Sequence, residues 1–118
     1  MELLVEGNQA LITIRVRGAL QATDGEPFRE TVLELSNSGR SRIRIDLTEA
    51  PSVEVPCVGI LVGLKAALKQ RGGNLQVVNP QPHIRRMLEL LRLNQVLGGL
   101  GGEAENQEFG GVGETPAL

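Results

Sequence analysis

Aromatic rings are almost absent: the 118 residues include two Phe and neither Trp nor Tyr. Proteins that hold single-stranded nucleic acid stack bases on exposed rings, so the composition argues against that role. Neither charge sign is in excess. Twelve Lys and Arg against 14 Asp and Glu leave a net charge of −2, which provides no electrostatic footprint for DNA or RNA. Cysteine and histidine occur once each, as Cys57 and His83. A disulfide framework and a cysteine-based zinc cluster are therefore excluded, and neither residue has a partner at ligand spacing. No metal and no cofactor are expected. Long hydrophobic runs are missing too. The longest apolar region, residues 55–68, is broken by Pro56, two glycines and Lys65 and is too short to span a bilayer. The first residues carry Glu2 and Glu6 inside their apolar stretch, unlike a signal peptide. A cytoplasmic location is the expectation, and a lone thiol suits a reducing compartment.

What is present suffices for one compact domain. About 41% of residues are hydrophobic, enough for a core at this length. The composition changes at residue 98. Residues 98–118 hold seven glycines and four Glu with no Lys or Arg, which predicts a flexible tail after a domain at 1–97. The body alone carries 12 basic and 10 acidic residues.

Within the body, strand and helix signals alternate. Residues 3–6 read as a short strand. Residues 10–17 set Ile12, Ile14 and Val16 against Leu11, Thr13, Arg15 and Arg17, a period of two, and Gly7-Asn8 between the strands is hairpin chemistry. Thr23 or Asp24 caps a helix with Pro27 in its first turn, and Phe28, Val32 and Leu35 mark its buried face until residues 36–39 end it. Residues 42–47 alternate again, with Ile43, Ile45 and Leu47 inward and Arg42, Arg44 and Asp46 facing away. Positions 57, 60, 61, 64 and 68 predict a helix closed by Arg71-Gly72-Gly73. Residues 75–79 read as a buried strand, Pro80-Gln81-Pro82 opens a last helix, and residues 94–97 read as a short final strand. The fold class is α/β: a single mixed sheet of four to five strands with three to four helices, parallel after residue 40.

Chemistry-bearing residues are few. Gly59 and Gly63, at i and i+4, read as a smooth patch for close approach to the sheet. Gly98-Gly99-Leu100-Gly101-Gly102 precedes no helix or Lys-Ser/Thr pair, so a phosphate loop is absent. Arg40, Arg42 and Arg44, and Arg85-Arg86, read first as solvated faces. Asp46, Glu49 and Glu54 are carboxylates close in sequence, but no His, ring or metal set converges on them, so an enzyme is not expected. Cys57 near a helix start reads as a buried thiol rather than a nucleophile. The loop and helix start at residues 46–61 remain the most informative stretch. Helix N-termini present unpaired N–H groups and suit anions or partners, but Val55 and Pro56 offer no hydroxyl there and Pro56 no N–H.

This stretch resembles the STAS domain of bacterial anti-sigma factor antagonists. The family signature reads Asp-Leu-Ser-Gly-Val-x-Phe-Ile-Asp-Ser-Ser-Gly-Leu-Gly. Laid on without gaps, Asp46-Leu47 matches its start, Thr48 replaces its Ser, Val53 its Ile and Glu54 its second Asp, and Val58-Gly59 takes its closing Leu-Gly. Residues 71–90, with Gly72-Gly73, Val77-Val78-Asn79-Pro80 and Arg85-Arg86-Met87-Leu88-Glu89-Leu90, are similar to a second family motif. Arg15-Val16-Arg17-Gly18-Ala19-Leu20 resembles an early Leu-x-Gly-x-Leu.

The resemblance covers roughly residues 3–98 and implies a STAS-like fold with a protein-binding face. In the family's antagonists the Ser-Ser pair carries the serine phosphorylated by the partner kinase. Here that pair falls on Val55-Pro56, a degenerate phosphoacceptor position, and the following Gly falls on Cys57. The resemblance thus implies a non-catalytic regulatory module that binds an anti-sigma-factor kinase-like partner through Ser52, Val53, Glu54, Val55, Pro56, Cys57 and Val58, without the usual phosphorylation. Ser52 and Thr48 are the candidate substitute phosphosites. The alternative is a scaffold or assembly subunit of a signalling or transport complex. The expected partner is a protein, with no nucleic acid and no membrane insertion, and a homodimer is left open.

Overall fold

The computed structural model describes residues 1–98. Four strands form one mixed sheet in the order β1-β2-β3-β4: β1 is Glu2–Gly7, β2 Leu11–Arg17, β3 Arg42–Asp46 and β4 Asn74–Val78. β1 and β2 are an antiparallel hairpin, while β2–β3 and β3–β4 are parallel. The hairpin needs its glycine. Gly7 has φ +114, and a Cβ there would stand 2.2 Å from the Leu11 carbonyl oxygen. Asn8 completes the turn, its Oδ1 accepting the N–H groups of Ala10 and Leu11.

Each parallel pair needs a crossover, and helices supply both. α1 (Gly25–Leu35), entered through a 3₁₀ turn at Ala22–Asp24, joins β2 to β3, and α2 (Val55–Gln70) joins β3 to β4. Asp24 caps the entry by accepting the Gln21 N–H at 2.8 Å. α3 (Pro82–Leu90) and α4 (Asn94–Leu97) follow β4. The period-two pattern fixes the sheet faces. Ile14, Val16, Ile43, Ile45, Leu75 and Val77 are buried in one core with Phe28 and Val32 of α1 and Leu61, Leu64 and Leu68 of α2. The opposite face carries Thr13, Arg15 and Arg17 beside Arg42, Arg44 and Asp46, then Asn74 and Gln76.

Two expectations change. Residues 94–97 form a helical turn, not a strand. Next to them, Lys65 Nζ donates to the Leu75 carbonyl and to Asn74 Oδ1, occupying the β4 edge that a fifth strand would need. Leu97 turns into the core. Gly59 and Gly63 do not approach the sheet: both are exposed, and a Cβ at either would meet nothing within 4 Å. The helix face that meets the core uses Cys57 and Val58 instead. Asp46 lies on the polar sheet face as expected but is buried there. The expected tail lies outside the described residues, except for Gly98.

Candidate functional site

The loop from β3 to α2 is held on three sides. At its start, Asp46 Oδ1 accepts the Thr48 N–H at 2.9 Å and the Thr48 hydroxyl at 2.6 Å, an Asx turn that reverses the chain as the strand ends. Burial alone would raise the Asp46 carboxyl. The two Thr48 hydrogen bonds and the Arg15 charge outweigh it and hold the group below its ordinary value. Arg15 lies 3.5 Å from Asp46, and Arg17 donates to Glu49 at 2.9 Å.

On a second side the loop runs along the β2–α1 connection. Gly18 donates to Glu49, Leu20 to Ser52, and Glu54 back to the Leu20 carbonyl, with Leu20 and Val53 in a parallel bridge. Glu54 Oε1 also accepts the Ala22 N–H at 2.9 Å, so this carboxylate ties the α2 start to the α1 start. On the third side, the α3 entrance reaches over. Gln81 Nε2 donates to the Thr48 carbonyl, and His83 Nε2 meets the Pro51 carbonyl oxygen at 2.6 Å, which requires an N–H on that nitrogen. His83 is thereby explained as a brace for the loop.

These bonds sort the expected face into two sets. Val53, Cys57 and Val58 turn inward, at 7%, 1% and 2% exposure, and form the floor. The outer surface is Ser52, Glu54, Val55 and Pro56, with Val55 at 59%. Of the expected face these four reach the surface, because alternate positions of the loop point opposite ways and Val55-Pro56 and Cys57-Val58 lie on opposite sides of the first helical turn. Thr48 and Ser52 are both exposed, but Thr48 donates its hydroxyl to Asp46. Cys57 Sγ donates to the Gln21 carbonyl, and burial followed by the charges of Asp24 and Glu54 pushes its thiol up. A thiol held protonated there is a packing group, not a nucleophile. Asp46, Glu49 and Glu54 are each engaged in the bonds that shape the loop. Among the described residues no three His, Cys, Asp or Glu gather as a metal set.

Next to Val55 the structure adds a feature that the sequence pattern hid. A groove of about 430 Å³ runs between α1 and α2, lined by Glu26, Arg29 and Leu33 on one wall and Pro56, Gly59 and Gly63 on the other. The i, i+4 glycines were its signal, but periodicity alone could not tell which way they face.

The family model described as "Mlab, STAS domain" matches residues 4–99. The chain belongs to the STAS family. Solved structures share its fold. TM1081 of Thermotoga maritima, assigned as an anti-sigma factor antagonist, superposes on this STAS domain with a TM-score of 0.78 at 16% identity, covering 91% of this chain and 92% of that one. The anti-sigma factor antagonist SpoIIAA in its unphosphorylated form gives 0.77 at 19%, covering 93% and 97%. The murine anion transporter Slc26a9 gives 0.64 at 14%, covering 76% of this chain and 15% of the transporter. No curated protein matches by sequence. Among the described residues no helix is long and apolar enough to cross a membrane.

Proposed function

We propose that this STAS domain is a non-catalytic regulatory module of the anti-sigma factor antagonist type, which binds an anti-sigma-factor kinase-like protein through Ser52, Glu54, Val55 and Pro56. Binding is not switched by phosphate at the helix start. The observation that carries this reading is the exposed hydrocarbon of Val55 at the first turn of α2, where the family's antagonists have the Ser-Ser pair that carries their phosphorylated serine. A phosphoserine adds nearly two negative charges. Valine and proline leave these two positions permanently uncharged, so the partner is held rather than toggled. The cytoplasm, where such partners act, is the proposed location.

If a phosphate switch survives, Ser52 is its better place. Thr48 shares a hydrogen bond with the Asp46 carboxylate, which would repel a phosphate on the same oxygen. A second reading is favoured by the exposed valine and the groove beside it: a permanent contact, as an assembly subunit of a signalling or transport complex. That a transporter chain contains the same fold is consistent with it.

The test is a pull-down from cells of the source organism with the parent, Val55→Asp and Glu54→Lys proteins, followed by intact-mass measurement after incubation with the retained kinase and ATP. The expected result is a partner kept by the parent and lost by both variants, with no added phosphate. Retention by both variants removes this surface as the interface. Phosphate at Ser52 replaces the constitutive reading with a switched one, and stable co-purification of a non-kinase partner favours the assembly subunit.

A further inference from the structure

The two edges of the sheet differ. At the β4 edge, Lys65 occupies the Leu75 carbonyl. At the other edge β1 pairs with β2, and no further strand lies beside it among the described residues. β1 holds neither Pro nor Lys, and its ladder with β2 runs from Glu2 to Gly7 without a bulge. Those are common devices that keep an edge from pairing, and this edge lacks them. The hairpin shows which backbone groups it offers. The Asn8 N–H donates to the Leu11 carbonyl at 3.1 Å. Bonded pairs alternate along an antiparallel ladder, so Glu6–Thr13, Leu4–Arg15 and Glu2–Arg17 are the bonded ones, and the N–H and C=O groups of Leu3 and Val5 point out of the sheet.

Side chains alternate as well. Leu3 and Val5 stand beside Val16 and Ile14 on the core side of the sheet, and Glu2, Leu4 and Glu6 stand on the polar side. Met1 continues the core-side row beside Gly18. Yet Val5 is 48% and Met1 44% exposed, two of the few large apolar side chains left at the surface. We propose that this edge pairs with itself: two copies of the chain join antiparallel along β1 into one continuous sheet. The register follows from charge and size. With Leu4 opposite Leu4, Glu2 falls directly opposite Glu6 twice, and like charges there repel. With Val5 opposite Val5, Leu3 meets only Gly7 and Met1 meets nothing. With Leu3 opposite Leu3, Val5 of each copy meets the exposed Met1 of the other, so Met1, Leu3 and Val5 of both copies gather on the core side. Glu2 then faces Leu4 of the second copy and keeps its own Arg17 at 3.4 Å. This self-complementarity is what a two-fold contact requires, and it favours a second copy over the chain's own residues 99–118. Their four Glu, with no Lys or Arg, would bring like charge to Glu2 and Glu6.

The test is sedimentation of the full chain over a concentration series. A single edge is at the small end of protein interfaces, so the mass should double between about 10 µM and 1 mM of protein. Val5→Pro removes an outward N–H and no bond of the hairpin, and it should weaken association by roughly tenfold or more while circular dichroism stays that of the parent. If proline disturbs the hairpin, Val5→Lys keeps the backbone and carries the same expectation. The register is read from cross-linking with oxidised glutathione. Leu3→Cys should close a disulfide between copies, because bonded antiparallel pairs hold their Cα atoms about 5.5 Å apart, whereas Val5→Cys should not. Cys57 is buried and does not compete. A monomer throughout the series, or a dimer that survives both Val5→Pro and Val5→Lys in folded protein, overturns the proposal. A disulfide from Val5→Cys and none from Leu3→Cys overturns it equally, since the selected register is what argues for a second copy.

Discussion

Along α2, the flank that meets the sheet carries Cys57, Val58, Leu61, Leu64 and Leu68, none more than 2% exposed. The flank that faces away carries Val55, Pro56, Gly59 and Gly63, all exposed. Both flanks lack charge. The difference is in size and shape. The inner flank is branched and close-packed, where lost volume leaves a cavity. The outer flank is small, and an added Cβ on either glycine meets open space. Glycine inside a helix is costly, and no close contact within the domain requires either of these two.

Substitutions on the two flanks should therefore have opposite outcomes. The largest effect is expected inside: Leu61→Ala should lower unfolding stability by about 2–5 kcal/mol in denaturant titration. Next comes the turn that aims the outer flank. Asp46→Asn should cost about 1–3 kcal/mol at neutral pH, through weakened charge-assisted hydrogen bonds. The Asp46 carboxyl lies below its ordinary value of 3.8 when folded. Its contribution is therefore complete above that value and disappears as pH falls through the lower folded one. Stability curves of parent and variant against pH should converge in acid, and a gap that persists there would assign the effect to shape rather than charge.

Smaller, and opposite in sign, is the pair Gly59→Ala and Gly63→Ala. Each should stabilise the fold by about 0.5–1 kcal/mol in thermal or chemical unfolding, while weakening the partner retained by the parent. A loss of stability would mean that the glycines serve packing after all. The smallest effect on folding is expected for Val55→Asp, within about 0.5 kcal/mol of the parent. The same substitution should abolish partner retention, so a circular-dichroism melt beside the pull-down separates a lost surface from a lost fold.

Much of the architecture was legible from patterning. Ile12, Ile14 and Val16, and then Ile43 and Ile45, alternate strictly, and the sheet buries them as that period requires. The α2 spacing and its Arg71-Gly72-Gly73 end were legible for the same reason. Residues 94–97 were not, since four residues are too few to show a period, and Lys65, 29 positions or more away in sequence, decides what the β4 edge can accept. At the site, Val55 and Pro56 stood out as hydrocarbon at a helix start. The inward turn of Val53, Cys57 and Val58 was not visible, because the bridge to Leu20 and the bond to Gln21 come from a connection more than 30 residues earlier.

The order of strands and helices up to residue 90, the hydrophobic faces and the missing hydroxyl at the start of α2 belong to the sequence alone, since they follow from residue type and local period. Which apolar residues face out, why Asp46 is ionised although buried, and that the Gln76 amide has no hydrogen-bond partner among the described residues were decided by the tertiary structure. Those properties depend on neighbours brought together from distant parts of the chain, and a local period carries no information about them.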